Sequence, residues 1–149
     1  MAKSVKQLIE ERANVSSSVE DQVAMRIARW QQAVSNLWFR ITAWLPVSDK
    51  SGKPLYTISE ITRSEERSGS YPVESLEIRI GRSTVELVPV GTWIIGAQGR
   101  VDMRGPKATV RLIWVNEGSW LVVGDPMAPH ESTPLTEESF TNALEQVLG

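Results

Sequence analysis

The sequence predicts an α+β fold: N-terminal helices, one of them long, packed on a curved antiparallel meander of six or seven strands, with a C-terminal helix on one side. Three observations carry this. Between Ser18 and Leu45 the residues Val23, Ile27, Trp30, Val34, Leu37, Ile41 and Trp44 follow one another at alternating steps of four and three, which is one helical stripe. From Leu55 to Val123 short β-branched and aromatic runs alternate with turn residues, without room for a crossover helix. From Thr136 to Leu148 a capped, amphipathic stretch makes a second clear helix. Residues 1–149 thus read as a single domain, helical over 1–46, a sheet over 55–123 and helical again over 136–148.

Taken in order, Val5, Leu8 and Ile9 form a short apolar stripe that predicts a first helix, with Asn14 to Ser18 as a polar break. The long helix then starts at Ser17, whose hydroxyl can cap the first turn while Glu20 reaches back, and Pro46 stops it. At 1.5 Å per residue it measures roughly 40 Å, whereas a strand of six to eight residues spans about 20 to 27 Å. Part of the helix must overhang the sheet, bend, or meet another chain.

Val47 to Pro54 (VSDKSGKP) is turn-forming and acts as a hinge. LYTISEIT, residues 55–62, is the first strand, and the polar RSEERSGS, residues 63–70, is expected to be an exposed loop and the segment most prone to disorder. Strands VESLEIRI, STVELVPV, TWIIGA, RVDMR, ATVRLIWV and SWLVV follow. Around Gly81 a two-residue turn would oppose Glu77 and Glu86, whereas a four-residue loop sets Arg79 against Glu86. Charge pairing of roughly 0.2–1 kcal/mol favours the four-residue loop. Asn116-Glu117-Gly118 reads as a three-residue loop that places Trp114 across from Trp120. GDPMAPHESTP is expected to be irregular, and Leu135 with Phe140 brackets the Thr136 cap as a hydrophobic staple.

Composition narrows function by exclusion. The chain has no cysteine and one histidine, His130, so thiolate zinc sites, thiol nucleophiles and two-histidine mechanisms are out. No G-x-S-x-G accompanies His130 and Ser132, and GTWIIGAQG lacks the lysine and hydroxyl of a phosphate loop. The carboxylates Glu65, Glu66, Glu77, Glu86 and Asp102 read as a solvated outer face. No catalytic residue, cofactor or metal is expected, and the chain reads as a non-enzyme. The N-terminus has no signal-peptide core and no run is long enough to span a bilayer, so no membrane partner is expected and the cytoplasm is the default compartment.

From Arg63 to Arg111 there are eight basic and six acidic residues, while Leu112 to Gly149 holds six acids and no Lys or Arg. Arg63, Arg67, Arg79, Arg82, Arg100, Arg104, Lys107 and Arg111 could serve an anionic partner weakly, but the tryptophans lie among aliphatic residues instead of on a basic surface. No specific nucleic-acid binding is expected. The last hairpin is apolar on both faces: Val110, Leu112, Trp114, Trp120 and Val122 on one, Ile113, Val115, Leu121 and Val123 on the other. Either helices cover both faces or another subunit does. The expected function is therefore a protein-interaction or assembly module that self-associates, a dimer first, or binds a protein partner. Its candidate surface is Trp30, Trp38, Trp44, Trp114, Trp120, Leu121 and Val123. The alternative is a small-molecule or enzymatic pocket between helix and sheet, walled by Trp30, Trp44, Trp93 and Trp114.

Overall fold

The structure, a computed structural model, describes residues 3–66, 68–92, 98–116, 118–124 and 132–149, with residues 13–18 described in backbone only. One helix, α1 (Val5–Thr42), is followed by strands β1 (Tyr56–Glu65), β2 (Gly69–Ile80), β3 (Ser83–Gly91), β4 (Gly99–Arg104), β5 (Thr109–Asn116), β6 (Ser119–Val123) and β7 (Ser132–Pro134), and by helix α2 (Glu137–Leu148). The described strands form one sheet in chain order, every neighbour antiparallel. The α+β meander with its long N-terminal and its C-terminal helix is as the sequence predicts.

Several local expectations are corrected. The N-terminal helix is continuous: Ser4, not Ser17, is the N-cap, its Oγ accepting from Gln7 N while the Gln7 amide oxygen accepts from Ser4 N. Asn14 to Ser18 lies within the helix, because polar residues lower helix propensity by only a few tenths of a kcal/mol each, about 0.7 at most, and do not break it as proline would. Arg63 to Glu65 and Gly69 to Ser70, expected to be loop, are the far ends of β1 and β2, which pair from Tyr56↔Ile78 to Glu65↔Gly69. There Arg63 and Glu65 share one side of the strand and bond inward, as described below.

At Gly81 the two-residue turn wins: Ile80 faces Ser83, Ile78 faces Val85, and Glu77 faces Glu86. Gly81 has φ +62° and Arg82 does not share the positive φ, which is the type II′ arrangement that suits a twisted hairpin. The opposed glutamates are exposed, and Glu86 has Arg104 as its neighbour on β4, so the charge penalty that argued against this register is small. Trp114 does stand across from Trp120, beside a bulge before Asn116↔Ser119. The seventh strand comes from residues 132–134, expected to be irregular. The TWIIGA run, the glycine-rich hairpin around it and His130 fall outside the described residues, wholly or in part.

Both helices pack on the same sheet face. Trp30, Val34, Leu37, Trp38 and Ile41 of α1 and Phe140, Ala143 and Val147 of α2 join one core with Leu76, Ile78, Val85, Leu87, Val101, Met103, Val110, Leu112, Trp114, Trp120 and Val122. Ile113, Val115, Leu121 and Val123, on the opposite face, are only half-buried. Past the Leu76↔Leu87 pair β2 leaves β3, and α1 takes over its free edge. Gln31 Nε2 donates to Pro72 O at 2.7 Å and Trp38 Nε1 to Glu74 O at 3.0 Å. An edge that would otherwise present open carbonyls is thereby satisfied.

Candidate functional site

The helix leaves the body at its N-terminal half. Trp30 is fully buried, yet Val5, Leu8, Ile9 and Val19 are 74%, 46%, 62% and 54% exposed. These belong to the stripe that packs on the sheet. Val19 stands fourteen residues after Val5, and Val23 fourteen after Ile9, four helical turns each, and the steps then continue through Ile27 to Trp30. The apolar positions used against the sheet thus recur along the arm on either side of Arg12, and Val5, Leu8, Ile9 and Val19 are exposed there. Lys6 lies near the tip of this arm and Glu20 and Asp21 near its base. Lys3 also lies at the tip, where it pairs with Glu11 at 2.6 Å in an exposed contact.

Where the arm meets the body, a polar corner fixes it. Arg26 donates to Thr92 O at 2.9 Å, and Thr92 N donates to Glu65 Oε1 at 2.8 Å. The Tyr71 hydroxyl donates to Glu65 Oε2, and Arg63 Nε to Pro89 O at 2.6 Å. Thr92 and Tyr71 are buried. Burial, and then the hydrogen bond and negative charge of Glu65, push the Tyr71 hydroxyl well above the usual tyrosine range. A neutral tyrosine holding a carboxylate braces the corner, and the Thr92 hydroxyl lies 3.4 Å from both Glu65 carboxylate oxygens.

A cleft of about 410 Å³ lies between α1 and the β5–β6 hairpin. Arg29, Gln32, Ala33 and Asn36 line it from the helix, and Gln98, Trp114, Asn116, Gly118 and Trp120 from the sheet side. Gln32 Nε2 donates to Asn36 Oδ1 at 2.9 Å, and Gln98 Nε2 to Val115 O at 3.0 Å. The indole N–H of Trp114 is buried without an acceptor, a condition that costs about 1–3 kcal/mol when unrelieved.

Of the seven residues expected to form an interaction surface, Trp30, Trp38, Trp114 and Trp120 are at most 5% exposed and make the core between helix and sheet. Their rings nest together, Trp30 lying 5.8 Å from Trp114 and 6.1 Å from Trp120, while Trp38 is held by its bond to Glu74. Trp44, Leu121 and Val123 are half-buried, Trp44 against Phe140 at 5.6 Å and beneath the Arg40 guanidinium. Of the expected pocket wall, only Trp114 lines the cleft, and Trp93 is outside the described residues.

Four of the eight basic residues from Arg63 to Arg111, namely Arg63, Arg79, Arg100 and Arg104, are tied to the chain itself. Arg79 pairs with Asp49 at 3.1 Å, and Arg100 and Arg104 approach Asp102 at 3.0 and 3.6 Å. The Arg100–Asp102 contact is close but poorly aligned, so its attraction is Coulombic more than hydrogen-bonded. Among the described residues no three His, Cys, Asp or Glu side chains gather as a metal site, and no helix is long and apolar enough to cross a membrane.

Sequence reasoning misses the arm as one element because the polar run Asn14 to Ser18 separates Val5, Leu8 and Ile9 from the later stripe. The fourteen-residue spacing to Val19 and Val23 was the available signal. It also missed Arg29, Gln32 and Asn36, a polar row at steps of three and four beside the apolar stripe. No protein-family model, curated protein or solved structure matches the chain.

Proposed function

We propose that this chain is a non-catalytic assembly module that self-associates through the N-terminal half of α1, two copies laying their arms side by side and antiparallel. The observation that carries this reading is the apolar stripe of α1, buried on the sheet from Trp30 onward and exposed at Val5, Leu8, Ile9 and Val19, with Arg12 interrupting it between Ile9 and Val19. The arm from Val5 to Arg26 extends roughly 33 Å at 1.5 Å per residue. A helix of that length is marginal alone in water and draws its stability from packing an apolar face. A second copy supplies such a face in the same register of spacing.

Charge selects the direction. Antiparallel arms set Lys3 and Lys6 of one copy beside Glu20 and Asp21 of the other, whereas parallel arms would set like charges together. Because the chain has no cysteine, the arrangement is open to a clean test. An equal mixture of Lys6→Cys and Glu20→Cys variants, mildly oxidised, should yield mainly the mixed disulfide dimer. Homodimers of each variant in place of the mixed species would mean parallel arms, and failure to cross-link at all would count against self-association through this helix.

A further inference from the structure

We infer that the cleft between α1 and the β5–β6 hairpin is a binding site for a small organic carboxylate with a flat apolar body. Its volume of about 410 Å³ falls in the range that holds a small ligand. The described lining carries one charged side chain, Arg29, which makes no hydrogen bond or ion pair with any described residue. A guanidinium at the edge of a concave, partly apolar site favours a planar carboxylate, which it can grip with two N–H groups at once.

The rest of the wall is amphiphilic. Gln32 and Asn36 are bonded to each other, which presets their orientation and leaves Gln32 Oε1 and Asn36 Nδ2 with capacity to spare. Gln98 is likewise held by Val115 O, and Asn116 sits beside it. Opposite these amides the edges of the largely buried Trp114 and Trp120 rings give the cleft an apolar side. An unpaired cation, preset amides and an apolar side thus line one cleft, independently of how the arms associate.

The test uses the full chain labelled with nitrogen-15 and three size-matched probes: benzoate, neutral benzamide and the benzylammonium cation. Benzoate should shift the indole N–H resonances of Trp114 and Trp120 saturably, with benzamide about tenfold weaker and benzylammonium weaker still. Arg29→Gln, an exposed change without internal partners, should remove the advantage of benzoate over benzamide while leaving the spectrum folded. Absence of saturable shifts, equal response to the three probes, or an unchanged preference in Arg29→Gln would overturn the assignment. Inorganic phosphate matching benzoate would do so too, because the apolar half of the site would then contribute nothing.

Discussion

Trp30 shows most directly how single residues hold this molecule. Its ring is fully buried against Trp114 and Trp120, and Gly99 on β4 comes so close that an added Cβ would overlap the ring. Trp30→Ala should cost about 3–5 kcal/mol, a large share of the roughly 5–15 kcal/mol by which a domain is stable. Gly99→Ala should cost about 1–3 kcal/mol by overpacking. Combined with Trp30→Leu, the Gly99→Ala penalty should shrink, and urea denaturation of the two singles and the double would reveal it. Strict additivity would mean that the ring and the glycine do not share space. The burial of Trp30 was legible from its place in the stripe. The glycine was not, because Gly99 reads as a hairpin residue and only the fold brings it to the ring.

Tyr71 adds a pH signature at the same scale. Its folded-state pKa lies above the unfolded value of about 10, so the stability it contributes is complete below that pH and is lost as pH rises toward the folded value. Tyr71→Phe should therefore flatten the alkaline loss of stability and, by leaving Glu65 with one donor fewer, cost about 1–2 kcal/mol near neutrality. Thermal melts of both proteins across the alkaline range would check this, and parallel curves would contradict it.

At the scale of elements, the C-terminal part of α1, α2 and most strands were legible because each repeats one spacing over many residues, whereas the N-terminal part of α1 read as a separate helix. What escaped were choices between states sharing that spacing. The two registers at Gly81 differ by two residues and bury the same faces, so turn geometry decides between them, and exposed charges do not. RSEERSGS has loop composition, but alternation aims Arg63 and Glu65 at groups on β3 and just beyond it, partners visible only in the fold.

The hinge after α1 makes its own prediction. Asp49 accepts from Ser51 Oγ at 2.6 Å and from the backbone N–H groups of Ser51 and Lys53 at 2.8 and 3.0 Å. The Ser51 hydroxyl first, then those amides and the Arg79 charge, lower its pKa to about 2 against an opposing effect of burial. The hinge should hold its geometry above about pH 4, the ordinary carboxyl range, and lose it as pH falls through about 2. A carbon-13 titration of the Asp49 carboxyl would check this, and a midpoint near 3.8, the ordinary value of an aspartate, would contradict the turn described here.

For the whole molecule, the sequence left open which sheet faces are covered, since both sides of the last hairpin read as apolar. Both helices cover one face, so Leu112→Ala should cost about 2–5 kcal/mol. Ile113→Ala, its half-buried neighbour on the other face, should cost clearly less, and equal losses on denaturation would mean that the second face is packed as tightly as the first. The overhang, in contrast, was one of the outcomes that helix length left open, beside a bend or a second chain, and the helix proves longer than the sequence suggests, at 38 residues. Its bare stripe is the basis for proposing a second copy of the chain as the partner. Light scattering coupled to size exclusion, on the full chain at tens of micromolar, tests that most directly. The account predicts twice the chain mass, falling to a folded monomer when Leu8 and Ile9 are both changed to Glu. A clean monomer for the unaltered chain would contradict it.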